Sequence, residues 1–153
     1  RALGNRSILA DPRNSKIKDL INKAIKFREN FRPFAPAVLE RDAHKIFDIK
    51  KSNKVFFMEK AVKVKKIWRK KIPGVTHIDN TARVQTVNKS INPIFFELIS
   101  EFNKITNIPV LLNTSFNLNG EPIVCSPKDA IRTFFSCGLD VLVLGDFVIK
   151  KND

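Results

Sequence analysis

An α/β domain, with a mixed, twisted open sheet flanked by helices, is the fold class this sequence predicts. Three observations lead there. Segments with helical spacing carry recognisable caps. Short apolar or alternating segments lie between them. The two kinds do not follow a strict strand–helix–strand alternation, so a purely parallel sheet is not expected. At 153 residues, 43% of them apolar, the chain fits one domain with a packed core.

The elements follow in chain order. Residues 14–27, NSKIKDLINKAIKF, place apolar side chains at 17, 20, 21, 24 and 25, a helical spacing with Asn14 or Ser15 as N-cap. Pro33 and Pro36 stop the helix. Arg32, just before a proline, is then expected on an extended stretch. ERDAHKIF (40–47) predicts a short helix, KVFFMEKAVKVKK (54–66) a strand, and GVTHID (74–79) and ARVQTV (82–87) two more. NPIFFELISEFNKI (92–105) is the strongest helix, with Asn92 as cap, Pro93 at the first position and 95, 98, 99, 102 and 105 on one face. PVLL (109–112) reads as a buried strand. SPKDAIRTFFSCG (126–138) is a helix capped by Ser126, with Asp129 three residues on and Gly138 closing it. LDVLVLGDFVIKK (139–151) predicts a hairpin around Gly145-Asp146.

Composition narrows the function. No apolar run approaches the ~20 residues of a membrane span, and no secretory signal opens the chain. Its first residue is Arg1, which predicts a piece of a longer protein. Cys125 and Cys137 form no CxxC and have no histidine at metal spacing; two reduced thiols in a cytoplasmic protein are expected, with no bound metal. Lys and Arg number 28 against 15 acidic residues, a net charge of +13. Such a field attracts polyanions: nucleic acid, nucleotides, acyl phosphates or an anionic membrane surface. The lysines are dispersed, however, and the densest block, KAVKVKKIWRKK (60–71), begins as a half-exposed strand whose lysines are either a solvated face or a binding patch.

Metalloprotease, Walker, dinucleotide-binding and serine-hydrolase motifs are all missing. His44 and His77 are far apart; His44 reads as a helix-surface residue, while His77, two before Asp79, is either a strand surface residue or points into a cleft. What remains is anion-binding chemistry. IKFRENFRPFAP (25–36) sets Lys26, Arg28 and Arg32 among Phe27, Phe31 and Phe34, aromatics expected to hold the cations through core contacts. Arginine forks match phosphate oxygens, and lysine adds a point charge. The alternative is a helix end whose cations answer the macrodipole. Arg83, on a predicted strand, is a ligand contact or a surface arginine. In LLNTSFNLNG (111–120) an apolar strand runs into Asn113, Thr114, Ser115 and Asn117. Asn113 and Ser115, two apart on an extended segment, share a face and can offer donors to an anion at a strand's C-terminal end.

Together RALGNRSILADPR (1–13), KFRENFRPFAPAVL (26–39), THIDNTARVQTV (76–87), PVLLNTSFNLNGEPIV (109–124) and GLDVLVLGDFVIKK (138–151) resemble the C-terminal, YrdC-like domain of the nodulation-type and antibiotic-tailoring O-carbamoyltransferases. The resemblance covers essentially the whole chain. It implies a domain that binds ATP with Mg²⁺ and carbamoyl phosphate and forms carbamoyl-adenylate, with no metal held by the domain itself. It also implies a partner, an N-terminal ASKHA-like (Kae1-like) transferase domain with its own metal, outside this chain; alone, the fragment is not expected to carbamoylate an acceptor. By motif, Lys26, Arg32, Arg83, Asn113 and Ser115 are expected to bind substrate, with Lys26 and Arg32 catalytic; Arg28 and Asn117, beside them in the sequence, are expected to bind substrate too. One departure stands out: the family pattern DGTGR reads DNTAR here, so Asn80 and Ala82 bear on how far Arg83 reaches. The main alternative function is a basic RNA-binding module.

Overall fold

The computed structural model describes residues 2–29 and 31–151; Arg1, which opens the first motif, and Asn30, inside the basic cluster, lie outside the described residues. The strands are β1 (Ser7–Ala10), β2 (Ala35–Leu39), β3 (Ala61–Lys63), β4 (Thr81–Arg83), β5 (Gln85–Val87), β6 (Val110–Ser115), β7 (Val141–Leu144) and β8 (Phe147–Lys150). The α-helices are α1 (Ile17–Ile21), α2 (Glu40–Ile46), α3 (Lys66–Arg69), α4 (Pro93–Thr106) and α5 (Pro127–Phe135).

The main sheet has the order β1-β6-β2-β5. β2 and β5 are parallel, and β6 is antiparallel to both its neighbours, so the sheet is mixed as expected. Strand side chains alternate between faces. Val110 and Leu112 of β6 join Ile8 and Val38 in the larger core, together with Ile21 and Ile25, Ala43 and Ile46, and Ala130 and Phe134. Leu111 points the other way and joins Ala37, Leu39 and Val87 against Phe95 and Ile99 of α4. Each buried Val, Leu, Ile or Phe among them stabilises the fold by roughly 1.5–3 kcal/mol before entropy is counted.

The caps explain why α4 and α5 begin where they do. Asn92 Oδ1 accepts from the Phe95 amide at 3.2 Å, and Pro93 occupies the first turn. Ser126 and Asp129 form a reciprocal capping box. Loss of either cap is expected to cost ~1 kcal/mol. The closing hairpin also forms, with Gly145 at φ 59.

Five expectations need correction. The first helix is capped by neither Asn14 nor Ser15: it starts at Ile17 after Lys16, without a side-chain cap, and Asn14 Oδ1 accepts from the Lys16 amide at 2.9 Å. At residue 22 it widens into a π-turn, Asn22–Lys26, which ends on Phe27 at φ 46. The strand expected over 54–66 survives only as β3. Before it, Val55 exchanges bonds with Thr86 (3.0 and 2.7 Å), and then Met58 turns left-handed at φ 56. After it, residues 66–69 coil into α3. The strand expected over 74–79 is instead a 3₁₀ turn, Pro73–Val75, followed by a tight turn. Proline fixes the entry, and the Gly74 amide donates to Pro12 O at 3.0 Å. The expected strand 82–87 is cut at Val84, so β4 pairs with β3 while β5 joins the main sheet. Gly138 does not cap α5, which ends at Phe135; its amide donates to Ala24 O at 3.1 Å, and an added Cβ would stand 3.1 Å from the Ala24 methyl.

Candidate functional site

β6 continues through Ser115, three residues beyond the apolar PVLL, because β1 pairs with it along its whole polar end. Asn113 and Ser115 therefore share a face. The π-turn brings Lys26 to this end of the strand, almost fully buried at 3% exposure. Its Nζ donates to Ser115 O (2.5 Å), Asn117 O (2.8 Å) and Asn117 Oδ1 (2.7 Å), with Ser115 Oγ at 3.3 Å. Ser115 Oγ in turn donates to Asn117 Oδ1 at 2.7 Å. An ammonium has three protons, and three are engaged here. Lys26 is thus a positioning residue that fixes the 115–117 loop. Burial, with the Arg28 charge second, lowers its pKa to about 8, which leaves it charged at neutral pH.

Asn113 is held from the opposite side. Its Nδ2 donates to Gln85 Oε1 at 2.7 Å and to Ala2 O at 3.2 Å. The two amides meet over β2, whose intervening Ala35 and Ala37 carry only methyl groups. Gln85 Nε2 donates to Leu3 O at 3.1 Å, and Asn92 Nδ2 reaches the same oxygen at 3.4 Å. The opening motif ALGN is thereby fastened beneath the site. Gly4 must be glycine: its φ is +108, and a Cβ would lie 2.3 Å from the Phe95 ring. Both Asn113 donors are spent, so the donor expected of Asn113 does not face a ligand; its uncommitted atom is Oδ1, an acceptor.

Above this floor lies a cleft of about 340 Å³, lined by Ala2, Arg28, Phe34, Ala35, Met58, His77, Arg83 and Asn113–Ser115 among others. Two cations face it. Arg28 is half-buried; its Nε donates to Asn22 Oδ1 at 2.8 Å and its guanidinium stacks 5.0 Å over the Phe34 ring. Burial, and then the Arg32 charge, lowers its pKa from the ordinary value. Arg83 is exposed, with Nε donating to Met58 O at 3.3 Å. Asn80, at the DNTAR departure, takes φ 63, a left-handed conformation that glycine favours and asparagine tolerates. His77 stands beside Arg83, and its Nδ1 is 3.1 Å from Thr81 Oγ1. A second cavity of about 290 Å³ adjoins across Pro33, Phe34 and His77; Phe31, Val75, Ile78 and Lys18 line it.

The structure therefore brings Arg28, Arg83, Asn113 and Ser115 to one cleft, with Lys26 and Asn117 supporting its floor. Arg32 stands apart, half-exposed and ion-paired with Glu29 at 2.9 Å. The aromatic support differs from expectation. Phe34 is buried, but Phe27 and Phe31 are 55% and 70% exposed, because the left-handed turn at Phe27 throws them outward. Asn22 does the work assigned to them: it is fully buried, holds Arg28, and donates to Arg32 O at 3.1 Å. Sequence reasoning passed over Asn22 and Gln85. Each had a signal, a polar residue at a core-facing position of an otherwise apolar element. Among the described residues no three His, Cys, Asp or Glu side chains converge on a metal-sized site. No helix among them is long and apolar enough to cross a membrane.

A family model described as the carbamoyltransferase C-terminus matches residues 1–151. The chain is 53% identical over 152 residues to nodulation protein NolNO of Sinorhizobium fredii (strain NBRC 101917 / NGR234), covering 99% of this chain and 22% of that protein. It is 49% identical to nodulation protein NolO of Bradyrhizobium diazoefficiens, covering 99% of this chain and 28% of that protein. An uncharacterized protein of Methanocaldococcus jannaschii is 44% identical, with coverage of 99% and 24%. The chain thus spans about a quarter of the length of these relatives.

Proposed function

Because the chain belongs to the family of carbamoyltransferase C-termini, we propose that its cleft binds ATP and carbamoyl phosphate and forms carbamoyl-adenylate. The observation that carries this reading is the pairing of two guanidinium groups, Arg28 and Arg83, above a floor fixed by Lys26. Adenylation brings two anions together. Water cleaves carbamoyl phosphate to carbamate and inorganic phosphate; a carbamate oxygen then attacks the α-phosphorus of ATP as the bond from that phosphorus to the leaving pyrophosphate breaks. The step needs positioned cations to offset repulsion and to receive charge on the leaving group, and no side-chain nucleophile.

In this reading Arg28 and Arg83 bind phosphate oxygens. Arg32 stands at the rim, where an incoming phosphate competes with Glu29 for its fork. Lys26 and Asn117 hold Ser115 in place. The apolar chamber beside the cleft offers Phe31, Val75 and Ile78 as walls for a planar base. Mg²⁺ enters on the triphosphate. Transfer of the carbamoyl group to an acceptor hydroxyl falls to a separate, metal-holding transferase domain of the same protein, docked on this one. ATP supply places the reaction in the cytoplasm.

The test is ATP–pyrophosphate exchange with and without carbamoyl phosphate. Exchange that requires carbamoyl phosphate is expected. Indifference to ATP, combined with RNA binding that falls steeply with salt, would instead assign the net charge of +13 to nucleic acid.

A further inference from the structure

None of residues 60–71 lines the cleft or the chamber beside it. Yet seven of these twelve residues are Lys or Arg, and no Asp or Glu occurs from 60 to 78, so the segment holds more than half of the net charge of +13. Elsewhere cations are answered by carboxylates: Arg13 by Asp11, Lys45 by Asp42, Lys54 by Glu40 and Arg132 by Glu121. Among the described residues no ion pair involves a cation of 60–71. Three of these cations bond to carbonyl oxygens instead. Lys63 Nζ donates to Asp79 O at 2.9 Å, Lys65 Nζ to His44 O at 2.7 Å, and Arg69 Nε to Val64 O at 3.0 Å. A carbonyl oxygen has no formal charge, so such a bond steadies the side chain and leaves the cation uncancelled. Lys63 also feels the carboxylate of Asp79.

The fold turns this block to one side. Val64 and Ile72 are fully buried, and Trp68 between them packs against the larger core. Their four-residue spacing puts them on the inner side of α3 and the turn that follows it. Lys66, Ile67, Lys70 and Lys71 therefore point outward, and all four are exposed. Ile67 is 70% exposed and stands three and four residues before Lys70 and Lys71, its neighbours on the helix surface. An aliphatic side chain set among lysines suits a surface that is anionic outside and apolar beneath. A polynucleotide fits less well. Six of the seven cations are lysines, point charges without the arginine fork. The segment's one aromatic ring, Trp68, is packed on the core and overlain by Lys71 Nζ at 4.8 Å, so it offers no open face for a base to stack on. We infer that this face docks the protein on an anionic lipid surface, with Ile67 entering between headgroups and Lys63, Lys65, Lys66, Lys70 and Lys71 held against their negative charges.

The test is co-sedimentation of the 153-residue chain with vesicles of phosphatidylcholine alone, and with about a third phosphatidylserine, at about 0.1 M salt. Each cation at an anionic leaflet raises partition roughly fivefold, so preference for the anionic vesicles by roughly a hundredfold or more is expected. Lys66→Glu with Lys70→Glu is expected to lower anionic binding by roughly twentyfold or more. Lys89→Glu with Lys104→Glu makes the same change in net charge beside and on α4, which packs on the other face of the main sheet, and is expected to lower it by no more than about twofold. Ile67→Ser keeps every charge and is expected to cost roughly tenfold. These positions are all exposed, so unchanged melting curves are expected. Equal binding to both kinds of vesicle, binding to neither, or equal losses in the two double variants overturns the inference. So does a single-stranded RNA that binds wild type and is lost in Lys66→Glu with Lys70→Glu, while Ile67→Ser binds vesicles as wild type does; that pattern assigns the face to nucleic acid.

Discussion

The polar end of β6 and the β7–β8 hairpin break the rule of apolar inside and polar outside in opposite directions. In β6, Asn113 is buried, and Lys26 is buried against the loop that follows the strand. Every donor on these two side chains is engaged, and the bonds come from the N-terminal segment, the π-turn and β5. In the hairpin, Val143, Phe147 and Val148 are each more than 60% exposed, and the two strands pair only with each other. One region spends its polar groups on holding a shape; the other holds its shape by local pairing and by packing Leu142, Leu144 and Ile149 against the larger core. The difference supports the proposed placement of the site at the β6 end. A buried polar network is costly to assemble and is retained where geometry matters, whereas exposed apolar residues are ordinary on a protein surface.

The comparison can be broken most sharply at Lys26. Lys26→Met takes the ammonium away from Ser115 O and from Asn117 O and Oδ1, although Ser115 O keeps the Asn117 amide at 3.2 Å and Asn117 Oδ1 keeps the Ser115 hydroxyl at 2.7 Å. A loss of roughly 2–3 kcal/mol in urea unfolding is expected, together with loss of carbamoyl-phosphate-dependent exchange. A pH series sharpens this. Folded Lys26 titrates at about 8 and the unfolded side chain near 10.5. Below 8 both states hold the proton and the cost of the buried charge is fully present. Between 8 and 10.5 the unfolded chain binds more protons, so this residue's contribution to stability rises with pH. The stability difference between wild type and Lys26→Met is expected to widen in that window; a constant difference would show that the ammonium is not desolvated.

Gln85→Leu comes next. It removes the partner of Asn113 and one bond to Leu3 O, and a loss of about 1–2 kcal/mol is expected, with weaker carbamoyl phosphate binding in titration. Full affinity in this variant would mean that Asn113 needs no orientation. Ser115→Ala removes one hydroxyl from a loop still clamped by Lys26 through backbone oxygens. It is expected to lose no more than about 1 kcal/mol yet to slow exchange roughly tenfold or more; wild-type exchange with a lowered melting temperature would make Ser115 a turn residue only. Phe147→Ser, on the hairpin, is the smallest change. Its expected effect is within about 0.5 kcal/mol, with exchange untouched.

The same contrast shows what was legible in the sequence. α4, α5 and the hairpin could be read because their signals are local: Asn-Pro, Ser-Pro-Lys-Asp and Gly-Asp each set one backbone geometry. The β6 floor could be read as polar residues continuing an apolar strand. Its wiring could not, since Gln85, Asn22 and the opening ALGN lie between 28 and 111 residues away from Asn113 or between 6 and 10 from their partners, and no local pattern encodes those contacts. The strand expected over 74–79 failed for the converse reason. Pro73-Gly74 sets a local 3₁₀ turn there, and the tight turn that follows is what sets His77 against Thr81.

Hydrogen–deuterium exchange with and without ATP and carbamoyl phosphate compares the two regions in one experiment. If the β6 end is the binding floor, amides of residues 113–117 and of the loop around Arg28–Phe34 slow markedly when both ligands are present, while those of 141–150 exchange as before. Protection confined to the hairpin, or none at 113–117 at saturating ligand, would contradict the account.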